Sequence, residues 1–148
     1  MTATTIPVST AADQAQATRL LVPVAVVSTL LAMTLSVIGA HDAGERFFEV
    51  AVQIVAAVVI FGLVVRRGLR QESAGGRALA MGIIGLLLVF PAFWLGVSVQ
   101  LGAAAVLLGF AGRRAPSGSG KAIVALAIGA LTVIAYIGIY VGDFLNTH

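Results

Sequence analysis

Cysteine is absent from this chain of 148 residues, and charged side chains make up only 10% of it. The lack of cysteine excludes disulfides, thiolate metal sites and thiol nucleophiles. The scarcity of charge sets the chain apart from soluble proteins, in which about a quarter of the residues are charged. Hydrophobic residues account for 59% of the chain, which is more apolar surface than a soluble core of this size can enclose. The composition therefore predicts an integral membrane protein.

Four apolar segments follow one another with only short polar links between them. They cover approximately residues 20–39, 48–65, 78–112 and 122–141. A helix of such length, at about 1.5 Å per residue, reaches across a hydrocarbon core of about 30 Å. We therefore expect an all-α fold, a polytopic transmembrane helical bundle that forms a single domain over residues 19–142. The Thr- and Ala-rich residues 1–18 are predicted to be a disordered tail, and residues 143–148 a short C-terminal tail.

The third segment crosses the membrane either once or twice. The 35 residues from Ala78 to Gly112 contain no charged side chain, and a single helix of that length would extend about 52 Å. A turn near Pro91 would divide the segment into spans 78–92 and 96–112, because proline interrupts the helical hydrogen bonds and the aromatic residues beside it suit the headgroup level. Each half then has about 16 residues, or about 24 Å, which is short for a span. Five spans are predicted, and four spans with one long helix are the alternative.

The basic residues favour five spans. Seven of the nine Lys and Arg residues lie in the two loops that flank the third segment, and Lys and Arg in short loops mark the cytoplasmic side. Both loops are cytoplasmic only if the third segment goes out and returns, which places the N-terminus in the cytoplasm and the C-terminus outside. The candidates for lipid or topogenic contacts are Arg66, Arg67, Arg70, Arg77, Arg113, Arg114 and Lys121.

Small residues recur along the predicted spans, mostly four residues apart. Lipid supplies no hydrophobic force between helices, so close backbone approach at small residues has to provide packing energy. We expect contacts between the protein's own spans, and a dimerisation or partner-binding face is the alternative, for which Gly138 and Gly142 are the best candidates. The predicted packing positions are Ser28, Ala32, Ser36, Ala105, Gly109, Ala125, Gly129, Gly138 and Gly142.

Polar side chains within the predicted spans are the next candidates for function. We expect Glu49 to reach the membrane interface, and Gln53 and Gln100 to form interhelical hydrogen bonds worth about 1 kcal/mol or less each. The alternative is a transporter in which these three side chains line a water-filled path. Tyr136 and Tyr140 are predicted to be interfacial anchors.

One constellation resembles a metal or acid/base site. His41, Glu45 and Glu49 recur at helical spacing. The favoured interpretation is helix capping, with Asp42 as the N-cap and the acidic side chains beside the positive end of the helix dipole. We therefore expect no metal, no cofactor, no catalytic residue and no enzymatic activity. Nucleic-acid binding is not expected either, because no folded soluble surface is available to carry base-reading side chains.

The second half of the chain carries a resemblance to a known type of domain. From Ala78 to about Tyr136 it has a glycine-spaced apolar segment with an aromatic-proline turn. Leu-Leu-Gly-Phe-Ala-Gly-Arg-Arg follows at 107–114, then a Gly/Ser loop, and then Ala-Ile-Val-Ala-Leu-Ala-Ile-Gly-Ala-Leu at 122–131. This order resembles a small bacterial membrane domain, a glycine-rich helical hairpin of unknown function. The resemblance implies a compact hairpin around a basic loop, and it carries no catalytic residues.

The function expected from these observations is structural. We expect a small integral protein of the bacterial cytoplasmic (inner) membrane, an accessory component that packs against itself or against a larger membrane partner. Its partners would be membrane lipids and either a second copy or another membrane protein. A small oligomeric transporter or channel is the alternative.

Overall fold

The computed structural model describes residues 8–39, 42–69, 74–89, 91, 95–115 and 118–147. Within these ranges the chain is helical apart from short turns and contains no strand. The helices are α1 Val8–Gly39, α2 Ala43–Gly68, α3 Ala74–Leu88, α4 Val97–Gly112 and α5 Ser119–Thr147. The predicted all-α bundle is confirmed.

The long helices have the length and composition of membrane spans. Among the described residues, three segments qualify, Ala11–Ser36, Ala43–Gly68 and Ser119–Asp143, while α3 and α4 are shorter apolar helices. Part of α2 is wider than an α-helix, because Val58–Val65 is π-helical. The predicted membrane protein is thus supported by three full-length apolar helices.

The bundle has an apolar surface and a partly polar interior. Phe47 is 79% exposed and Leu145 70%, whereas Gln53 and Gln100 are 0% exposed. On α2 the inward face carries Glu49 and Gln53, and the outward face is aromatic and aliphatic. This distribution is the reverse of that in soluble proteins, where polar groups face water, and it matches a lipid environment.

Helices α3 and α4 form an antiparallel hairpin. Gly85, near the end of α3, lies against Leu101, near the start of α4, and Gly112, at the end of α4, lies against the start of α3. The alternative of one long helix over 78–112 is wrong, because α3 ends at Leu88 and the chain reverses before Val97. Gly96 has a left-handed backbone at φ +68°, which a continuing helix cannot include. The predicted turn aromatics at 90, 93 and 94 lie outside the described residues.

The described ends of the two basic loops meet at one end of the bundle. A methyl group at Gly75, at the start of α3, would come 2.6 Å from the carbonyl oxygen of Gly118, at the start of α5. The N-terminal part of α1 is at the same end, because Asp13 forms an ion pair with Arg113 at 3.2 Å. Three chain segments that are far apart in sequence therefore meet there.

The predicted disordered tail is wrong for residues 8–18, which belong to α1, and residues 1–7 lie outside the described residues. Asp13 is 3% exposed, and Ala17 is 0% exposed within the core. The guanidinium of Arg113 donates two hydrogen bonds to the Asp13 carboxylate, and Arg114 adds a contact at 3.5 Å. The segment is held by a partner 100 residues away in the chain. Its local composition therefore could not predict that it is helical. At the other end, the predicted C-terminal tail is helical as far as Thr147.

Loss of the Asp13 carboxylate is expected to weaken the bundle. Asp13→Asn leaves two arginines facing a neutral amide, and removal of one partner from a buried ion pair costs about 3–5 kcal/mol. The Arg113 and Arg114 side chains are 33% and 56% exposed, so hydration of the unpaired guanidinium groups offsets part of this cost. We therefore expect Asp13→Asn to lower the free energy of unfolding by about 2 kcal/mol. The measurement is thermal unfolding of the purified protein in detergent.

A double-mutant cycle isolates this ion pair. Asp13→Asn and Arg113→Gln together should cost less than the sum of the two single variants, because both remove the same interaction. Arg67→Gln, at an exposed arginine of the other basic loop, is the matched control. Strict additivity of the two substitutions would contradict the assignment.

Candidate functional site: a buried polar cluster

Polar side chains from four helices meet inside the bundle. The cluster, called here the buried polar cluster, consists of Ser36 on α1, Glu49 and Gln53 on α2, Gln100 on α4 and Tyr136 on α5. None of these residues is more than 4% exposed. Polar groups at such burial require partners, because an unpaired one costs several kcal/mol in an apolar environment.

Hydrogen bonds within the cluster link three helices. The side-chain amide of Gln53 donates to the Ser36 hydroxyl at 2.7 Å and joins α2 to α1. The amide of Gln100 donates to the backbone carbonyl oxygen of Gln53 at 3.1 Å and to the Thr29 hydroxyl at 3.4 Å, so it joins α4 to α2 and α1. The predicted interhelical hydrogen bonds of both glutamines are confirmed.

Glu49 and Tyr136 are both buried between helices. Glu49 is 4% exposed and lies one helical turn from Gln53 on the inward face of α2, and its position at the membrane interface stays a prediction. Tyr136 was expected to be an interfacial anchor, yet it is 0% exposed and packs with Ala32 and Val99. The two tyrosine rings are 5.1 Å apart and tilted by 48°, and the Tyr136 hydroxyl lies close to Ser36. Burial follows from the register of α5, in which Ala122, Gly129 and Tyr136 recur every seven residues on one buried face.

The unpartnered atoms of the cluster are all oxygens. In the described part of the chain, no hydrogen-bond partner is found for Glu49 Oε2, Gln53 Oε1 or Gln100 Oε1. The Tyr136 hydroxyl lies near Ser36 and Tyr140 but makes no hydrogen bond of regular geometry. The amide nitrogens of both glutamines are hydrogen-bonded, so the carboxylate and amide oxygens left over are surplus acceptors, and the Tyr136 hydroxyl can donate to one of them at most. The Ser98 hydroxyl, on another face of α4, is a further unpartnered buried oxygen. Such an arrangement requires a ligand that donates hydrogen bonds or carries positive charge.

The start of α2 is capped as predicted. The Asp42 carboxylate accepts a hydrogen bond from the backbone N–H of Glu45 at 2.8 Å, with Asp42 in an extended conformation. His41 lies outside the described residues, so its placement in the predicted His41, Glu45 and Glu49 constellation is not described. In the ranges that are described, no group of three or more His, Cys, Asp or Glu side chains is placed to hold a metal ion.

Small residues bring the backbones of α4 and α5 together. A methyl group at Gly129 would lie 2.6 Å from the Gly102 carbonyl oxygen, and one at Gly102 would lie 2.9 Å from the Gly129 carbonyl oxygen. Gly109 similarly lies against the carbonyl oxygen of Ala122, at 2.6 Å from an added methyl. Gly102 was not among the predicted packing residues. Of those that were, the buried ones are Ser28, Ala32, Ser36, Ala105, Gly109, Ala125 and Gly129.

The last two predicted small residues lie at open positions on α5. A methyl group at Gly138 or Gly142 would have no atom within 4 Å. Gly138 is exposed and Gly142 half-buried. These two glycines therefore have no tight contact with the part of the chain that the structure describes.

The basic residues divide into exposed and packed side chains. Arg66, Arg67, Arg114 and Lys121 are exposed, Arg77 is half-buried, and Arg70 lies outside the described residues. Arg113 is held on both sides, because its guanidinium carbon lies 4.0 Å from the centre of the Phe110 ring while its nitrogens bind Asp13. The side chain of Arg113 therefore has a structural role within the bundle.

Comparison of the chain with protein-family models, with curated proteins and with solved structures finds no match. A function for the protein therefore has to be inferred from the buried polar cluster and from the packing of the helices.

Proposed function

We propose that this protein is a structural or accessory component of a bacterial cytoplasmic membrane, and that it packs against itself or against a larger membrane partner. The observation that carries the proposal is that polar side chains inside the bundle form hydrogen bonds between helices. Gln53 and Gln100 connect α1, α2 and α4 through hydrogen bonds, and such bonds fix the register of helices in lipid. The outer surface is apolar, so it suits contact with lipid chains and with other membrane helices.

In this proposal the chain crosses the membrane five times, with the N-terminus in the cytoplasm and the C-terminus outside. The contacts that bring both basic loops and the start of α1 to one end support this orientation. Helices α3 and α4 have 15 and 16 residues and extend about 22–24 Å, so the bilayer around the hairpin would be locally thin.

The topology can be tested with single cysteines, because the chain has none of its own. Asn146→Cys should react with a membrane-impermeant thiol reagent added to intact cells, since it lies at the outer end of α5 in this orientation. Gly118→Cys, in the second basic loop, should react only after the membrane is opened, and it is the matched control. The opposite pattern would contradict five spans with a cytoplasmic N-terminus.

Oligomeric state tests the accessory function itself. The full chain, carrying one fluorophore, is placed in lipid bilayers at low density, and its bleaching steps are counted. We expect either a defined homo-oligomer or, after cross-linking in native membranes, one membrane protein recovered at a fixed stoichiometry. A chain that is strictly monomeric in bilayers and has no stoichiometric partner in membranes would refute the proposal.

A small oligomeric transporter or channel is the second candidate, because of the unpartnered oxygens around Glu49. Such a function requires a water-filled path along Glu49, Gln53 or Gln100. In the structural proposal Gln100→Cys is inaccessible to water-soluble thiol reagents, whereas in a transporter it reacts from one side. Ala11→Cys, at an exposed position of α1, controls for reagent activity once the membrane is opened.

A further inference from the structure

We propose that the buried polar cluster binds one monovalent metal cation of the sodium class. The Glu49 carboxylate would supply the negative charge, and the Gln53 amide oxygen and the Tyr136 hydroxyl would supply neutral ligands. The cation would then connect α2 to α5, a link that the hydrogen bonds of the cluster do not make. This inference goes beyond the structural role proposed above and does not depend on it.

The first argument is the balance of donors and acceptors. The glutamine nitrogens are used in hydrogen bonds to Ser36, Thr29 and the Gln53 backbone. What is left over in the cluster is one carboxylate oxygen, two amide oxygens and one phenol hydroxyl, whose single hydrogen can satisfy only one of the other three oxygens. Ionised carboxylate and amide oxygens can only accept. More protein acceptors could not satisfy them, so the missing ligand is a cation or a hydrogen-bond donor.

The second argument is that the proposed ligands lie close to one another. Glu49 and Gln53 are four residues apart on the buried face of α2, so their side chains are neighbours. Gln53 is hydrogen-bonded to Ser36, and the Tyr136 hydroxyl lies close to Ser36 and within electrostatic reach of Glu49. Ser36 is thus next to two of the ligands, and the site lies between α1, α2 and α5.

The third argument is the chemistry of these atoms. Every proposed ligand is an oxygen, which suits hard cations and not zinc or copper. The cluster holds a single carboxylate, so a monovalent cation gives a neutral site, whereas a divalent cation leaves a net charge buried in an apolar region at high cost. A proton on Glu49 would supply only one donor for the several unpartnered oxygens of the cluster.

The test is the melting temperature of the full-length protein in detergent, measured in sodium, potassium and N-methylglucamine chloride at constant ionic strength. A ligand that binds only the folded state raises the melting temperature in a saturable way. We expect sodium to raise it by about 5 °C or more at saturation relative to N-methylglucamine. Glu49→Gln should abolish this increase. Glu45→Gln, one turn earlier on the same face of α2 but exposed in the first turn of the helix, should retain it.

Tyr136→Phe provides a second variant, because it removes one proposed ligand and keeps the packed ring. We expect the half-saturating sodium concentration to increase by about tenfold or more. Equal melting temperatures in the three salts would overturn the proposal and leave bound water as the partner of these oxygens. A sodium effect that survives Glu49→Gln unchanged would also overturn it.

Discussion

Alanine at Gly129 is expected to destabilise the bundle by about 3 kcal/mol, at the upper end of the range for overpacked interiors. The added methyl would lie 2.6 Å from the Gly102 carbonyl oxygen, 3.0 Å from the Ala105 methyl and 3.0 Å from the backbone nitrogen of Val106. Two of these atoms belong to the backbone of α4, so a side-chain rotation cannot relieve the collision. The two helices have to separate, and the packing around Gly102 and Gly109 is lost with them. Thermal unfolding in detergent measures the effect.

Gly138→Ala is the matched control for Gly129→Ala. It makes the same chemical change on the same helix, yet the added methyl meets no atom within 4 Å. Because alanine favours a helix over glycine by up to about 1 kcal/mol, we expect this variant to be neutral or slightly more stable. Equal melting temperatures for the two variants would show that α4 and α5 are not in close backbone contact.

The reciprocal substitution extends the prediction to the other helix. Gly102→Ala should be as harmful as Gly129→Ala, since its methyl would lie 2.9 Å from the Gly129 carbonyl oxygen. The double variant should cost clearly less than the sum of the two, because one separation of the helices relieves both collisions. Additive costs would mean that the two glycines do not face each other.

The apolar runs of the sequence were sufficient to predict the helices of the bundle, but several helices extend beyond the predicted spans, above all α1, which begins at Val8, and α5, which ends at Thr147. Pro91 correctly indicated a reversal inside the long uncharged segment, because proline interrupts the helical hydrogen bonds. The structure adds that Gly96 has a left-handed backbone at the start of α4. The helical start of α1 was not predicted. Its order depends on the Asp13–Arg113 ion pair, and a contact between residues 100 positions apart leaves no trace in local composition.

The candidate site was predicted only in part. Gln53 and Gln100 are conspicuous in apolar segments, and their hydrogen bonds follow from the cost of an unpaired amide in lipid. Gly102 was missed because the search for small residues used a four-residue spacing. Tyr136 was assigned to the membrane interface because it lies near the end of the last predicted span, whereas the structure buries it. A seven-residue spacing, as in Gly102 and Gly109 on α4, describes the buried seam better, since antiparallel helices that cross at a shallow angle repeat their contacts every two turns. Which atoms are left unpartnered depends on the geometry of several helices together, and no local pattern encodes it.

Alanine at Gly96 is expected to be much more harmful than alanine at Gly118, although both glycines have left-handed backbones, at φ +68° and +86°. A residue with a Cβ pays about 1–2 kcal/mol for that conformation at either position. At Gly118 nothing lies within 4 Å of the added methyl, whereas at Gly96 it would lie 2.7 Å from the Gln53 amide nitrogen and 2.9 Å from the Ala32 methyl. We therefore expect about 1 kcal/mol for Gly118→Ala and at least about 3 kcal/mol for Gly96→Ala. The measurement is thermal unfolding of both variants in detergent.

The excess cost at Gly96 should depend on Gln53, because the amide that would be displaced also donates the hydrogen bond to Ser36. Gln53→Ala removes that amide and with it the nearest contact of the added methyl, so the combination with Gly96→Ala should cost clearly less than the sum of the two. Gly118→Ala combined with Gln53→Ala should be additive. If Gly96→Ala and Gln53→Ala were also additive, Gly96 would not pack against the buried polar cluster. The coupling therefore reports whether Gly96, at the start of α4, is in contact with Gln53 as the structure indicates.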